Sequence, residues 1–151
     1  MAQGTPLVRC RFCVPVFQKV MVMSQVKIYG LRSHLDPIKA RLSDTLHDCV
    51  CLALSFPRDK RAHRFFPLDP EDFYMPGGRS EAYTIVEITM IEGRSVAAKK
   101  RLIRLLFERC QADLGIAPVD LEICIQEAPA HNWGFRGMHG DEIALNYKIE
   151  V

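Results

Sequence analysis

Hydrophobic and polar positions predict a strand–helix–strand unit in the first half of the chain. Val26–Tyr29 has the composition of a short strand, and His63–Phe66 is expected to form a second one. Between them, Asp36–Pro37 predicts the start of a helix, because aspartate caps helices and proline is tolerated in their first turn. Apolar residues at helical spacing predict the buried stripe of this helix: Ile38, Leu42, Leu46, Cys49, Val50 and Ala53.

The same order of elements is repeated in the second half. Thr84–Ile91 is mostly apolar and rich in β-branched residues, as expected of a central strand. Ser95 is a favourable cap for a second helix, and Gly115 is a typical stop. The buried stripe of this helix is expected at Val96, Ile103, Leu106, Cys110 and Leu114. Val119–Gln126 then predicts the closing strand.

The two halves also resemble each other in detail. Leu54–Asp59 corresponds to Leu114–Asp120 with one residue inserted, so each helix ends, turns through a proline and leads into a strand. A tandem β-α-β repeat predicts an α+β fold with a four-stranded sheet and both helices on one face. The bare opposite face favours association with other subunits. Residues 67–82 are expected to form a long loop or hairpin, and Glu142–Val151 alternates like a further strand that packs on this chain or a neighbouring subunit.

Composition limits the classes of function. The chain has 151 residues, 48% of them hydrophobic, with 20 Lys and Arg against 18 Asp and Glu, values typical of one soluble globular domain. A formal charge of +2 indicates neither a nucleic-acid nor a membrane partner, and no apolar run approaches the roughly 18 residues of a membrane-spanning helix. Six cysteines without a secretion signal favour reduced thiols and a cytoplasmic location.

Residues 1–23 differ in pattern from the rest of the chain. Cys10 and Cys13 have neither a second cysteine pair nor histidines at zinc-ligand spacing, so no metal site is expected there. We interpret this stretch as a flexible extension, or as upstream sequence included by too early a start, with Met23 as a second candidate initiator. The folded domain is then expected to comprise residues 24–151.

Arg94 is the first candidate for chemistry. It lies between a predicted strand and the cap of a predicted helix, with Gly93 before it and Ser95 after it. Free backbone N–H groups, the helix dipole and a guanidinium would converge there, an arrangement that suits a carboxylate or phosphate. The alternative is an ordinary exposed arginine in a loop.

Two further segments are candidates for a binding site. Lys60, Arg61, His63 and Arg64 lead into the second strand. Together with Asp59 they form either a polar site at the sheet edge or a solvated loop. Trp133 and Phe135 lie in a glycine-rich segment after the last core strand, where they could wall an apolar pocket. The alternative for Trp133 is a structural role in the core or in a subunit interface.

Other potentially reactive groups favour structural roles. The second helix carries a basic face that we interpret as solvated rather than as a nucleic-acid site, given the balanced total charge. That face comprises Lys99, Lys100, Arg101, Arg104 and Arg109. Cys49 and Cys110 lie on apolar stripes and are expected to be inert core thiols.

The tandem repeat and three segments in order resemble the tautomerase superfamily. The segments are Met23–Lys27, Ile91–Ser95 and Asn132–Phe135, and the resemblance covers about residues 23–140. Its nearest match is the branch that contains malonate semialdehyde decarboxylase. The resemblance implies a homotrimer whose sheets form an inner barrel, with active sites between subunits. It also implies an amino-terminal proline that acts as general base, arginines that bind the carboxylate of a small oxo-acid, and no metal or organic cofactor.

Carried over by position, the resemblance assigns roles to several residues of this chain. Ser24 stands where the family has its catalytic proline, Glu92 replaces one of the decarboxylase's two arginines, and Lys60 stands at its water-activating aspartate, next to Asp59. The positions that match are Arg94, which binds the carboxylate, and the pocket aromatics Trp133 and Phe135.

Two functional hypotheses follow from the resemblance. In the first, the protein is an isomerase of the tautomerase type that moves a proton between the keto and enol forms of a small 2-oxo carboxylic acid without a cofactor. If Met23 initiates and is removed, Ser24 presents a free α-amine as the base, since α-amines titrate near pH about 7.7–8.0. In the second, the protein is catalytically silent and binds a small acid or a protein partner.

Overall fold

The computed structural model describes residues 24–143. The predictions for residues 1–23, for the Cys10/Cys13 pair and for most of the carboxy-terminal strand lie outside the described residues. Within them, the two β-α-β units are β1 (Ser24–Leu31), α1 (Arg32–Leu54) and β2 (His63–Leu68), followed by β3 (Thr84–Ile91), α2 (Val96–Leu114) and β4 (Leu121–Ala128). A hairpin follows, with strands β5 (Gly134–Phe135) and β6 (Met138–His139).

The main sheet has four strands in the order β2-β1-β3-β4. Strands β1 and β2 are parallel, β3 and β4 are parallel, and β1 runs antiparallel to β3. The two units therefore meet at their first strands, related by an approximate two-fold rotation. The α+β fold with a tandem β-α-β repeat is confirmed.

The antiparallel centre gives the sheet two distinct ends. At one end, which we call the Ser24 end, β1 and β2 begin while β3 and β4 finish. At the opposite end, the Leu31 end, β1 and β2 finish while β3 and β4 begin. The junction between β3 and α2 therefore lies at the Ser24 end, and the junction between β1 and α1 lies at the Leu31 end.

The core lies between the sheet and the two helices. Alternate residues of β1 and β3, such as Val26, Ile28 and Ile88, are fully buried on the helix-facing side. The helices contribute a second apolar layer and pack against each other. On the opposite face of the sheet, alternate positions are only partly covered, and Phe66 remains 38% exposed.

The predicted start of α1 is wrong. The helix begins at Arg32, directly after β1, and Pro37 lies inside it. Asp36 is therefore in the helix and does not cap it; the cap position is Leu31, whose side chain makes no capping hydrogen bond. The ring nitrogen of Pro37 cannot donate to the carbonyl four residues earlier, so the helix tolerates one missing bond near its exposed start.

The predicted ends of α2 are confirmed, but its buried stripe is shifted. The Ser95 hydroxyl accepts a hydrogen bond from the Ala98 N–H, and Gly115 ends the helix in the left-handed conformation at φ 70°. Val96, expected to be buried, is 63% exposed. The buried stripe consists of Ala98, Leu102, Leu106 and Cys110. Neither this helix nor α1 is long and apolar enough to cross a membrane.

Candidate active site

The topology gathers the candidate residues at the Ser24 end of the sheet. Ser24 is the first residue of β1 and pairs with Met90, next to the last residue of β3. The Val26 N–H donates to the Ala62 carbonyl at 2.9 Å, which places the loop of residues 59–61 beside the start of β1. Ile91 pairs with Ala128, the last residue of β4, so the segment with the two aromatics leaves the sheet at this same end.

Arg94 is buried and only partly hydrogen-bonded. It is 4% exposed, and its Nη1 donates to the Ile91 carbonyl at 2.6 Å. Its Nε is buried without a partner, and no carboxylate in residues 24–143 forms an ion pair with it. A buried guanidinium with an unused donor carries a large desolvation cost, which an anionic ligand would offset. The alternative of an ordinary exposed loop arginine is therefore wrong.

The loop before β2 forms a charged cluster in which cations are paired. Lys60 Nζ lies 3.2 Å from Asp59 Oδ2, and Arg61 Nη1 lies 2.7 Å from Asp44 Oδ1 on α1. The Lys60 side chain is only 15% exposed, whereas that of Asp59 is 58% exposed. The loop therefore adds polar groups at the sheet edge but little net charge.

Trp133 and Phe135 lie side by side after β4. Their ring centroids are 6.2 Å apart, both residues are half-buried, and the Trp133 Nε1 is buried without a hydrogen-bond partner. The Gly140 N–H donates to the Trp133 carbonyl at 2.8 Å. A Cβ at Gly140 would lie 2.4 Å from the Ala130 carbonyl oxygen, so this close approach requires glycine. Backbone packing thus holds the tryptophan in place while its indole donor stays unused.

A histidine pair near this end was not identified from the sequence. The rings of His47 on α1 and His63 at the start of β2 lie 6.1 Å apart, edge to face. His63 Nδ1 lies 2.9 Å from the Ser43 hydroxyl. Burial, and secondarily the nearby His47, lowers the pKa of His63 to about 4. The two residues are 16 positions apart in sequence, as their numbers show, so no local spacing pairs them.

Other groups have the structural roles expected of them. Burial raises the pKa of Cys49 to about 11 and that of Cys110 to about 12, as expected of inert core thiols. On the basic face of α2, Lys99 pairs with Glu127 at 2.5 Å and Arg109 pairs with Asp113 at 2.8 Å. Within residues 24–143, no group of three or more His, Cys, Asp or Glu side chains is placed to hold a metal ion.

A cavity of about 410 Å³ lies at the Leu31 end, away from these residues. It is lined by the start of α1 and the segment after β2, including Arg32, Asp36 and Asp69. Arg32 Nε lies 3.0 Å from Asp69 Oδ1, so this lining arginine already has a partner. Within residues 24–143, none of the side chains that line this cavity has a buried polar atom without a hydrogen-bond partner.

The family model described as tautomerase enzyme matches residues 60–136, just over half of the chain. This chain belongs to the tautomerase family. The match includes Lys60, Arg94, Trp133 and Phe135 but stops short of Ser24. It thus covers the second β-α-β unit, β2 and the aromatic segment.

Two curated tautomerases are similar in sequence to part of this family member. A probable tautomerase from Ralstonia nicotianae is 39% identical over 54 residues, which are 36% of this chain and 77% of that protein. The 2-hydroxymuconate tautomerase of Pseudomonas putida is 35% identical over 57 residues, which are 38% of this chain and 90% of that protein. Each relative thus aligns, over most of its own length, with little more than a third of this tautomerase.

Solved structures share the fold of this tautomerase over most of its length. A fused 4-OT asymmetric trimer superposes with a TM-score of 0.70 at 23% identity, covering 78% of this chain and 97% of that one. A malonate semialdehyde decarboxylase inhibited by 3-bromopropiolate has a TM-score of 0.69 at 24% identity, covering 80% and 98%. At this level of identity the similarity establishes the fold.

Proposed function

We propose that this tautomerase moves a proton between the keto and enol forms of a small 2-oxo carboxylic acid. The observation that carries the proposal is Arg94, a buried guanidinium with one hydrogen bond, an orphan Nε and no carboxylate partner among the described residues. Such a group is suited to bind a carboxylate. Trp133 and Phe135 are half-buried and follow β4, which finishes at the same end of the sheet, and they suit the apolar remainder of a small acid.

The base in this proposal is the α-amine of Ser24. Ser24 is 5% exposed and is the first residue of β1, which pairs with the end of β3. Strand β3 ends three residues before Arg94. An α-amine has an ordinary pKa of about 7.7–8.0, which burial and a nearby guanidinium would lower towards neutral pH. A base with a pKa near the working pH is effective in proton transfer. The proposal requires that the working chain begin at Ser24, because an amide nitrogen cannot serve as a base.

We further propose that the protein works as a homotrimer. The bare sheet face carries a Tyr29–Phe66 ring stack at 4.8 Å and a hydrogen bond from the Tyr29 hydroxyl to Glu87 at 3.2 Å. Partly apolar sheet surface of this kind favours burial against another subunit. The fused 4-OT proteins of similar fold are described as trimers, which supports the same assembly here. No metal or organic cofactor takes part in the proposed reaction.

The test compares two forms of the protein that differ only at the proposed base. One begins at Ser24 with a free amine, and the other has the same amine acetylated. The exchange of the α-protons of phenylpyruvate in D₂O, followed by proton NMR, is expected to be at least about a hundredfold faster with the free amine. A full-length form beginning at Met1 should behave like the acetylated one.

Equal exchange by both forms would contradict the assignment of the amine. No exchange above buffer by either form, with phenylpyruvate still bound, would instead favour the silent alternative. In that case the fold would serve to hold a small acid or a protein partner. The mass of the protein purified from its native host would show whether Ser24 is its first residue.

A further inference from the structure

The cations around the Ser24 end of the sheet are mostly neutralised by neighbouring carboxylates. Lys60 pairs with Asp59 at 3.2 Å, Arg61 with Asp44 at 2.7 Å, and Lys99 with Glu127 at 2.5 Å. Arg94 is also a cation at this end, but it is buried, and no carboxylate in residues 24–143 forms an ion pair with it. One buried, unpaired guanidinium can satisfy one carboxylate with paired hydrogen bonds.

Glu92 adds an unpaired negative charge next to that guanidinium. It is exposed, and its backbone N–H donates to the Ala128 carbonyl at 3.0 Å, which extends the pairing of β3 and β4 by one residue. Its carboxylate forms no ion pair in the part of the chain that the structure describes. The α-carbons of residues 92 and 94 are at most about 7 Å apart. The two side chains are thus attached to neighbouring backbone positions, and charges within about 8 Å of each other interact at physiological ionic strength.

Further cations at this end are exposed. Arg64, at the start of β2, donates to the Gln25 Oε1 at 3.0 Å. Arg136 occupies the turn of the β5–β6 hairpin at φ 56° and is exposed. A guanidinium in water is screened and hydrated, so it attracts an anion far less than a buried one does. Solvent screens the exposed charge of Glu92 in the same way, so the buried charge of Arg94 fixes the first carboxylate, and Glu92 acts only on a second carboxylate that comes within about a Debye length of it.

We infer that the site accepts 2-oxo acids with a single carboxylate and discriminates against those with a second one. Glu92 is the residue that repels the second carboxylate. This inference rests on the proposed function and specifies its substrate class. Arg94 binds the carboxylate next to the oxo group, and the aromatic pair contacts the apolar chain. A second carboxylate would find no unpaired buried cation and would lie in the field of Glu92.

A matched pair of acids tests the inference. 2-Oxohexanoate and 2-oxoadipate have the same carbon chain and differ in one terminal carboxylate. Both α-proton exchange in D₂O and the dissociation constant from calorimetry are measured for each acid with the chain that begins at Ser24. We expect a preference of at least about tenfold for 2-oxohexanoate in both quantities. The preference should shrink at about 1 M salt, where the Debye length falls to about 3 Å.

Variants identify the source of the preference. Glu92→Gln is expected to reduce the preference by about fivefold, since it removes the repelling charge. Glu81→Gln makes the same charge change at an exposed residue near the start of β3, at the Leu31 end, and should leave the preference unchanged. Arg136→Asn removes the exposed cation and should not abolish the preference.

The outcomes separate this inference from the proposed function. Equal exchange and equal affinity for the two acids would overturn the inference while leaving the proposed function standing. A preference for 2-oxoadipate that disappears in Arg136→Asn would also overturn it and assign the second carboxylate to Arg136. Exchange of neither acid would contradict the proposed function, and the ratio of the two dissociation constants would still decide the specificity. Binding of neither acid would overturn both.

Discussion

The two ends of the sheet have the same topology, but the arginine at each end differs in burial and in its hydrogen-bond partners. At the Leu31 end, Arg32 follows β1, is exposed, and donates to Asp69 and to the Pro67 carbonyl, both at 3.0 Å. At the Ser24 end, Arg94 follows β3, is 4% exposed, and among residues 24–143 donates only to the Ile91 carbonyl. The repeat therefore places a guanidinium near the strand–helix junction twice. One is exposed and paired, and the other is buried with no counter-ion among the described residues.

This difference supports the proposal that the Ser24 end binds the ligand. A guanidinium that already has a carboxylate partner gains little from a second anion, whereas a buried and underbonded one gains much. The Leu31 end contains the 410 Å³ cavity and two buried nitrogens without partners, His34 Nε2 and Arg79 Nε. Both of those side chains keep part of their surface in water, so the desolvation cost of each unpaired nitrogen is smaller than that of the Arg94 Nε. Unsatisfied buried charge is a better guide to function here than cavity volume.

The largest expected effect separates the two arginines directly. Arg94→Ala should slow α-proton exchange of phenylpyruvate by about a hundredfold, because it removes the carboxylate-binding group. Arg32→Ala, at the corresponding junction, should change the rate by less than about twofold. Both rates are measured by proton NMR with the chain that begins at Ser24.

Thermal unfolding of each variant provides the control for that comparison. A folded Arg94→Ala protein that exchanges phenylpyruvate at the unchanged rate would contradict the assignment of the site to the Ser24 end. If Arg94→Ala does not fold, Arg94→Lys keeps the charge but loses the planar donor pair and should still be strongly impaired. An exposed pair such as Arg32–Asp69 contributes at most about 1 kcal/mol, so Arg32→Ala should fold normally.

The repeat, and with it the fold, could be predicted because it depends on local patterns. The β3 strand, the Ser95 cap and the Gly115 stop are as expected, since alternation, a hydroxyl cap and a left-handed glycine are encoded by neighbouring residues. The start of α1 was mispredicted because the helix follows β1 without a loop, and its start depends on packing, not on the Asp36–Pro37 signal. In the α2 stripe, Leu106 and Cys110 were predicted correctly, whereas Ala98 and Leu102 were missed and Val96 was wrongly included.

The site could be predicted only in part. The sequence predicted Arg94, Trp133 and the loop around Lys60 as candidates, but it could not show that Arg94 is buried or that the loop cations are paired. Those properties depend on which strands are neighbours, and on contacts such as Arg61 with Asp44 across 17 positions. His63 was missed as a partner of His47 for the same reason.

A second comparison concerns how the two edge strands begin. Before β4, the buried Asp120 accepts hydrogen bonds from the Ser80 N–H at 2.7 Å and the Ser80 hydroxyl at 2.6 Å. Asp120→Ala should lower the free energy of unfolding by about 2 kcal/mol, measured by urea denaturation, because it removes two hydrogen bonds to a carboxylate. Exchange of phenylpyruvate should not change, since Asp120 lies at the Leu31 end. A loss of exchange in a folded Asp120→Ala protein would show that the two ends are coupled.

The start of β2 should respond to acid in a different pH range from the start of β4. The pKa of His63 is lowered by burial from its ordinary value of 6.5 to about 4, so the unfolded chain binds a proton that the folded chain does not. The contribution of neutral His63 to the free energy of unfolding is fully present above pH about 6.5 and decreases as the pH drops towards 4. The loss should be on the order of 2 kcal/mol.

The pKa of Asp120 is also lowered, by the Ser80 hydrogen bonds, so the stability due to the carboxylate is lost only as the pH falls below its ordinary value of 3.8. His63→Gln should therefore flatten the stability profile between pH 6.5 and 4, and Asp120→Asn should alter it only at lower pH. His131→Gln, at an exposed histidine, is the matched control and should leave the profile unchanged. An unaltered slope in His63→Gln would mean that His63 is free to take up a proton in the folded protein. The start of β2 would then be no more sensitive to acid than that of β4.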